Sequence, residues 1–329
     1  MSLEPALEDL TATIHAYRSS RVLLTAVELG IFTALADGKR SSRDVAGELG
    51  LHVKGADRLM NALVAMGYLR KQDEHFLNTA TTDRYLVRSR PDYLAGIAHS
   101  NQLWEYWSHL TEAVRDGTVT SRTDLAERGD SWAEPFIAAM HHRARAQAPG
   151  DVNLIDLHDV ERVLDVGGGS AAYSMAMIAV KRDLHATVFD LPGVIPLTRR
   201  YIEEAGLAHR IATVAGDYHQ DELPGGFDIV FLSAIVHSNA RDENRRLIRK
   251  CAASLNPGGK VIVQDFIIDE DRVHPTNAAL FALNMLVATE AGDTYTEAEV
   301  RSWMEEAGLT DVRREDTPSG STQITGAGS

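Results

Sequence analysis

The stretch LDVGGGSAAYS, residues 164–174, joins a short apolar run to three glycines and then to a segment typical of a helix. Glycine at such a junction lets the backbone turn tightly and approach a ligand closely. Asp190 ends the next apolar run, 23 residues after Gly167, where a carboxylate can accept both hydroxyls of a ribose. The stretch therefore predicts the first strand, turn and helix of a nucleoside-binding α/β sheet.

Short apolar runs alternate with helical segments from Asp151 onward, which is typical of an open, mostly parallel sheet. Ligands of such sheets bind beyond the carboxyl ends of the strands. A polar residue stands near five of these ends: Asp165, Asp190, Asp217, His237 and Asp265. Each acid alone could simply cap the following helix, but several acids at matching ends favour a ligand site.

A nucleoside ligand is further indicated by Asp217 in the stretch AGDYHQ. It ends the third run, where an adenine amino group could donate to its carboxylate. Ribose and adenine contacts without a clear pyrophosphate fingerprint indicate an adenosyl ligand such as S-adenosylmethionine.

Length and composition limit the class of protein. A chain of 329 residues fits about two domains. The formal net charge of −14 argues against a general affinity for nucleic acid. A single cysteine, Cys251, permits no intramolecular disulfide. The start MSLEPALEDL does not predict a signal peptide, and no apolar stretch approaches the roughly 20 residues that span a bilayer. We expect a cytoplasmic enzyme or binding protein.

Residues 1–95 have a winged-helix outline. The segment RVLLTAVELGIFTALADG, residues 21–38, predicts one helix whose apolar face carries Val22, Ala26, Leu29 and Phe32. The segment SSRDVAGELG offers Ser41 or Ser42 as an N-cap and Gly50 as a stop. VKGADRLMNALVAMG predicts a further helix closed by Gly67, and YLRKQDEHFLNT predicts a hairpin turning at Asp73–Glu74.

A winged helix raises the possibility of a DNA-binding regulator. Residues 1–95 hold 12 basic and 12 acidic residues, so this part has no excess positive charge. A recognition helix needs an exposed basic face. The helix predicted for VKGADRLMNALVAMG is instead dominated by Leu59, Leu63, Val64 and Met66. A dimer interface is the favoured interpretation, with DNA binding as the alternative.

Residues 96–150 predict connecting helices. Their apolar residues recur at helical spacing and indicate either core packing or a lid over a ligand pocket: Leu103, Trp107, Leu110, Val114, Phe136, Ile137 and Met140. The neighbouring histidines His141 and His142 cannot share one helix face as metal ligands. No zinc-type spacing of Cys and His occurs in the sequence, and we expect no metal.

The chain resembles the two-domain S-adenosylmethionine-dependent O-methyltransferases, which include plant caffeate and isoflavone enzymes and bacterial antibiotic-tailoring enzymes. The segments AVELGIFTALADG, LMNALVAMGYL and FLNTA are similar to the dimerisation domain of that family. The catalytic domain is matched by VLDVGGGSAAYS, VFDLPGV, AGDYH, NPGGKVIVQDF and YTEAEVRSWMEEAGL.

This resemblance implies a fold and a domain order. Residues 151–329 would form a Rossmann-like class I methyltransferase domain of the α/β class with a mostly parallel sheet. An α-helical, winged-helix-like dimerisation domain, residues 1–95, would precede it and make a homodimer. Residues 96–150 would connect the two and contribute to the substrate pocket.

The resemblance also implies residues for the cofactor S-adenosylmethionine. Gly167 and Gly169 would lie against its methionine part, and Asp190 with Leu191 beside it would hold the ribose. Asp217 and Tyr218 would face the adenine. Ser233 stands where relatives often carry a lysine that contacts the cofactor.

His237, in the stretch FLSAIVHSNARDEN, falls where the family keeps its general base, and Asp265 falls where plant enzymes place a glutamate that orients it. The sulfonium methyl group is already activated, so the protein must align an acceptor oxygen and take its proton. The acceptor pocket implied by the family is lined by Phe136, Met140, Phe281, Asn284 and Met285.

Several positions depart from the plant pattern. Ser238–Asn239 replaces Asp-Trp after the histidine, Thr294 replaces a second flanking glutamate, and Ala171 replaces the last glycine of the turn. Relatives of this fold methylate carbon or have become hydroxylases or decarboxylases. A C-methyltransferase or a tailoring hydroxylase or decarboxylase therefore stays open as an alternative to an O-methyltransferase.

Overall fold

The computed structural model describes residues 5–119 and 130–329, with side chains described except at 130–132. Two stretches lie outside this range: residues 1–4, at the start of MSLEPALEDL, and residues 120–129 of the connecting segment. The chain forms two compact units, Met1–Gln102 and Leu103–Ser329.

The first unit is helical with a small antiparallel sheet of order β1-β3-β2. Its helices are α1 (Leu7–His15), α2 (Tyr17–Glu28), α3 (Ile31–Ala34), α4 (Ser42–Leu49), α5 (Val53–Ala65) and α6 (Ala80–Leu86), and its strands are β1 (Arg40–Ser41), β2 (Leu69–Gln72) and β3 (His75–Asn78). Helices α4 and α5 followed by the β2–β3 hairpin form the winged-helix outline.

The predicted helix cap and hairpin turn of this unit are confirmed. The Ser41 hydroxyl accepts the backbone N–H of Asp44 and caps α4, which ends at a left-handed Gly50. The hairpin turns at Asp73, with Gln72 paired to His75. The single helix predicted over residues 21–38 is wrong: the chain breaks at Gly30, whose φ is 80°, and Leu29 lies 36% exposed. Only glycine adopts that conformation readily.

The second unit is an α/β sandwich. Its strands are β4 (Arg162–Val166), β5 (His185–Asp190), β6 (Ile211–Ala215), β7 (Phe227–Ser233), β8 (Leu255–Asp265), β9 (Thr310–Asp316) and β10 (Thr322–Ala327). The helices numbered after α6 are α7 (Ile97–Ser108), α8 (Leu110–Asp116), α9 (Asp130–Asp151), α10 (Ala172–Val180), α11 (Ile195–Glu204), α12 (Arg241–Ala253), α13 (Thr276–Ala288) and α14 (Glu297–Glu306). A 3₁₀ turn covers Val152–Leu154 and another covers Val236–Ser238.

The predicted mostly parallel sheet is confirmed. Seven strands lie in the order β6-β5-β4-β7-β8-β10-β9, and β4 to β8 pair in parallel. The strand order reverses between β4 and β7, which is where ligands of such sheets bind. The antiparallel pair β9 and β10 at one edge was not predicted. The outer strand, β9, is rich in charged residues and so lacks the apolar pattern by which a strand is predicted.

The continuous helix suggested by Leu103, Trp107, Leu110 and Val114 is also wrong. It breaks at His109 into α7 and α8, and Val114 is 60% exposed. Spacing alone could not show this, because the residues around the break are compatible with a helix.

Alternate residues of the central strands pack into two separate cores. Leu164, Val166 and Val230 belong to one, while Val163 and Phe231 belong to the other. This alternation follows from the pleat of a strand whose two faces are both covered by helices. No helix among the described residues is long and apolar enough to cross a membrane.

Truncating a central strand should destabilise this unit. Leu164 is 0% exposed, so Leu164→Ala leaves a cavity and is expected to lower the free energy of unfolding by about 2–5 kcal/mol. Urea unfolding followed by circular dichroism measures the loss. Val180→Ala, at a site 56% exposed, serves as the control and should change it by less than about 0.5 kcal/mol. Equal losses would contradict this packing.

Candidate functional site

The glycine turn after β4 is closely packed. The N–H of Gly167 donates to the carbonyl oxygen of Phe189 at 2.7 Å, and its φ of 67° favours glycine. A Cβ atom on Gly167 would overlap the side chain of Ile235, and one on Gly168 would lie 2.6 Å from Cγ of Asp165. The positions of Gly167 and Gly168 thus have no room for a side chain.

Helix α9 lies against this turn. The imidazole Nδ1 of His141 and the hydroxyl of Ser170 are 2.9 Å apart, and Ile137 is the side chain nearest to Gly169. Phe136 and Met140, expected in an acceptor pocket, are half-buried on the same helix. The structure therefore places both residues on an element that contacts the turn.

Asp190 is tied directly to the turn. Its Oδ2 accepts the N–H of Gly169 at 2.8 Å, and its Oδ1 accepts the N–H of Leu191 at 2.7 Å. It does not cap α11, whose N-cap is Val194, so the helix-cap interpretation fails for this acid. Burial raises the pKa of Asp190 to about 6, against the lowering effect of the two backbone hydrogen bonds. Leu191 beside it is 39% exposed.

Asp217 follows β6 by two residues and shapes its own turn. Its Oδ1 accepts the N–H of His219 at 2.9 Å, and its Oδ2 accepts from the amide of Gln220 at 3.0 Å. These hydrogen bonds lie within the turn of Asp217 itself, and the next element is β7, so Asp217 caps no helix. The next residue, Tyr218, packs against the core and donates its hydroxyl to Oδ1 of Asn239.

His237 lies in the 3₁₀ turn after β7 and is held by Asp265 at the end of β8. Its Nδ1 is 2.6 Å from Oδ1 of Asp265, and its backbone N–H donates to Oδ2 at 3.3 Å. The side chains are 12% and 1% exposed, respectively. An ionised carboxylate only accepts hydrogen bonds, so neutral His237 carries its proton on Nδ1 and its lone pair on Nε2.

An aromatic row continues from the histidine. The ring of Phe281 meets that of His237 edge-on at 4.9 Å, and the ring of Phe266 lies 4.2 Å from that of Phe281. The guanidinium of Arg143 covers Phe266 at 4.6 Å. Burial lowers the pKa of Arg143, although Tyr173, Asp265 and Asp151 act to raise it.

Sequence reasoning missed Arg143. It stands on α9 among small residues in the run HHRARAQA, where a solvent-exposed cation is the usual expectation. The only signal was its place seven residues after Phe136, on a helix proposed to line a pocket.

The other predicted residues have defined positions. Met285 is 5% exposed and packs in the core. The indole N–H of Trp107 donates to Oδ1 of Asn284 at 2.9 Å, so this amide has a protein partner. Ser233 ends β7 and is half-buried.

Thr294 occupies a buried position, 1% exposed, and its hydroxyl has no hydrogen-bond partner among the described residues. Within the same described ranges, no group of histidine, cysteine, aspartate and glutamate side chains is arranged to hold a metal ion.

The chain matches two family models. Residues 107–310 match the O-methyltransferase domain, and residues 11–88 match the O-methyltransferase dimerisation domain.

Proteins similar to this chain include two Streptomyces enzymes. One, from Streptomyces sahachiroi, is named 3-hydroxy-5-methyl-1-naphthoate 3-O-methyltransferase; it is 35% identical over 304 residues, covering 89% of this chain and 87% of that protein. The other, from Streptomyces glaucescens, is named tetracenomycin polyketide synthesis 8-O-methyl transferase; it is 31% identical over 313 residues, covering 93% and 92%.

A solved structure of human N-acetylserotonin methyltransferase in complex with SAM has the same fold. It superimposes with a TM-score of 0.86 at 23% identity, covering 100% of this chain and 99% of that chain.

The buried carboxylate of Asp165 should make the protein less stable as pH rises. It accepts the hydroxyl of Ser174 at 2.6 Å, and burial raises its pKa from 3.8 to about 6. A pKa raised on folding means that the folded form binds the proton more tightly, so this contribution is present below about pH 4 and is lost as pH rises through 6. Asp165→Asn should therefore be more stable than wild type at pH 7.5, by about 1–3 kcal/mol.

Asp228 is the matched control, with the opposite sign. Its pKa is lowered because, although burial acts to raise it, hydrogen bonds from Asn256 and from the N–H groups of Arg162 and Glu161 outweigh that effect. Asp228→Asn should destabilise the protein above pH 4, and the difference should shrink as pH falls. Thermal unfolding of both variants from pH 3.5 to 8 tests this. An Asp165→Asn variant less stable than wild type at pH 7.5 would refute the assignment.

Proposed function

The chain belongs to the O-methyltransferase family, and on this premise we propose that it methylates an oxygen of a small hydroxylated aromatic molecule with His237 as general base. The cofactor of this family is S-adenosylmethionine, whose sulfonium supplies an already activated methyl group. The observation that carries the proposal is the His237–Asp265 pair, which follows β7 and β8 beside the glycine turn of β4.

The residues around the turn fit an adenosyl ligand. A backbone without side chains suits the methionine part at Gly167 and Gly169, and the carboxylate of Asp190 suits a ribose. Leu191 offers an exposed apolar side chain beside it, and Asp217 with Tyr218 follows the adjacent strand. The solved human structure of the same fold is a complex with SAM, which supports S-adenosylmethionine as the cofactor.

The two charged ends of the methionine part need partners as well. Arg143 is a half-buried cation on the helix that lies against the turn, and we assign it to the carboxylate of the cofactor. Ser233, half-buried at the end of β7, stays our proposal for a further cofactor contact.

His237 has the geometry of a base for a hydroxyl group. Nδ1 is occupied by Asp265, so Nε2 is the atom that accepts the proton of the acceptor. The carboxylate fixes the tautomer and stabilises the imidazolium that forms. A proton acceptor of this kind matches the proton that a hydroxyl oxygen loses on methylation, which favours methyl transfer over the hydroxylating or decarboxylating alternatives. A carbon-methylating enzyme could use the same base on a phenol, and the methylated product distinguishes the two.

An aromatic acceptor fits the walls of the site. Phe281 packs against His237, and Met285, Phe136 and Met140 lie on the helices that continue these walls. The Streptomyces relatives are named for a hydroxynaphthoate and a polyketide, which supports a flat, hydroxylated ring system. Asn284 has Trp107 as partner for its oxygen, so its amide N–H groups are what it offers to the acceptor.

The matched dimerisation domain supports a homodimer, which we propose together with a cytoplasmic location and no nucleic-acid or membrane partner. Residues 1–95, 96–150 and 151–329 remain our proposed functional divisions of the chain, the middle one contributing to the acceptor pocket.

Replacing the base should separate catalysis from cofactor binding. His237→Ala removes the proton acceptor and is expected to slow methyl transfer by about 10²–10⁴-fold. The variant should bind S-adenosylhomocysteine with the affinity of the wild type. Liquid chromatography of methylated hydroxynaphthoates and anthraquinones measures transfer, and calorimetry measures binding.

His209→Ala, at an exposed position, is the control and should leave both quantities unchanged. Unaltered turnover in His237→Ala would remove this residue from the mechanism, and no binding of S-adenosylhomocysteine at millimolar concentration to the wild type would overturn the proposed function.

A further inference from the structure

The residues that follow His237 contain two buried amides. Asn239 is 2% exposed and Asn244 is 0% exposed. Asn239 belongs to the Ser238–Asn239 pair that departs from the Asp-Trp pattern noted in the sequence. Burying an amide is unfavourable unless its groups are hydrogen-bonded, so the partners of these side chains indicate what the departure achieves.

The two amides form one continuous chain of hydrogen bonds. Tyr218 donates its hydroxyl to Oδ1 of Asn239 at 3.1 Å. Nδ2 of Asn239 donates to Oδ1 of Asn244 at 3.0 Å, and Nδ2 of Asn244 donates to the carbonyl oxygen of Val236 at 2.8 Å. We call these three side chains the Tyr218–Asn239–Asn244 relay.

The direction of the relay is fixed from one end. A backbone carbonyl can only accept, so Asn244 must turn Nδ2 toward Val236 and Oδ1 toward Asn239. Asn239 must then donate with Nδ2 and accept with Oδ1, which leaves Tyr218 as the donor. Each member can therefore adopt only one orientation without leaving a buried group unpaired.

One end of the relay lies at the proposed cofactor site, and the other lies beside the proposed base. Tyr218 stands at the proposed adenine side, and Val236 immediately precedes His237 in the same 3₁₀ turn. Helix α12 supports both ends: it contains Asn244, and Nζ of its Lys250 donates to the carbonyl oxygen of Tyr218 at 3.0 Å. Burial raises the pKa of the Tyr218 phenol, which keeps the donor protonated.

The turn is also held from another direction. The N–H of Asp293 donates to the carbonyl oxygen of His237 at 3.0 Å, and Tyr295 donates its hydroxyl to the backbone oxygen of Asn239. These contacts and Asp265 hold the turn independently of the relay. An apolar substitute for the amides would remove the side-chain hydrogen bond to the carbonyl of Val236, which would keep only the N–H of Asn239 at 3.3 Å.

We propose that the Tyr218–Asn239–Asn244 relay is a positioning unit that couples occupancy of the adenine side to the placement of His237. The inference rests on the proposed function, because it takes Tyr218 as the adenine wall and His237 as the base. A ligand against Tyr218 restrains its ring, the hydroxyl restrains the two amides, and the last amide holds the turn that carries the imidazole.

Two single variants and their combination test the relay. Tyr218→Phe keeps the ring for adenine and removes only the hydroxyl, while Asn244→Leu removes the other end. Each should lower kcat on the order of 10-fold by misplacing the base, with the affinity for S-adenosylhomocysteine changed by no more than about threefold. Because both act through one unit, the double variant should lose little more than the worse single variant.

Thr82→Val is the control. It removes a buried hydroxyl that donates to the carbonyl oxygen of Tyr68 at 3.0 Å in the first unit, outside both the proposed site and the relay. It should lower the melting temperature and leave kcat as in wild type. A relay variant with a lower melting temperature and unchanged kcat, multiplicative losses in the double variant, or an affinity loss equal to the kcat loss would each overturn the proposal. Should Asn244→Leu fail to fold, Tyr218→Phe decides alone.

A readout that needs no acceptor separates this proposal from the proposed function. The imidazole resonances of His237, assigned by their absence in His237→Gln, should shift on addition of S-adenosylhomocysteine in wild type. In Tyr218→Phe the shift should shrink by more than half although the ligand still binds. An equal shift in both proteins would refute coupling. A wild type that methylates none of the phenols tried but shows the coupling would refute only the proposed function.

Discussion

The hydrogen bond of 2.6 Å between Nδ1 of His237 and Oδ1 of Asp265 is the contact on which the proposed chemistry depends. It joins the turn that follows β7 to the end of β8, and these two neighbouring strands are parallel, so the sheet brings both residues to the same edge. The carboxylate keeps the proton on Nδ1 and leaves Nε2 as the only ring atom able to accept another. Without this contact the ring could rotate or change tautomer, and nothing else among the described contacts of the imidazole would select the productive state.

The same edge of the sheet explains why a cofactor site and a base lie together. The strand order reverses between β4 and β7, and the glycine turn of β4 and the turn carrying His237 stand on the two sides of that point. Asp190, bonded to Gly169, binds the end of β5 to the turn. A ligand placed on the glycine backbone is therefore next to the histidine by topology, and the side chains have only to adjust its orientation.

Much of this arrangement was predictable because it depends on local signals. The glycine turn, Asp190 at the end of β5, and the caps at Ser41 and Gly50 are encoded within a few residues of their positions. The pairing of His237 with Asp265 came from the family resemblance and agrees with the geometry, while the base role itself stays a proposal.

What sequence reasoning missed depends on contacts between distant segments. Asn239 accepts from Tyr218, 21 residues earlier in the chain, and Arg143 covers the ring of Phe266, 123 residues away. The breaks at Gly30 and His109 fall inside segments of helical spacing, where periodicity gives no warning. Asn284 was expected to line the acceptor pocket, and its oxygen accepts from Trp107, which is distant in sequence.

The most direct test of the central claim is a crystal structure of the protein with S-adenosylhomocysteine bound. The account predicts the ribose hydroxyls on the carboxylate of Asp190, the methionine part along the glycine turn, and Nε2 of His237 turned toward the side on which the cofactor sulfur lies. A ligand bound elsewhere, or a His237 ring whose Nε2 points away from the sulfur while Nδ1 has left Asp265, would contradict it.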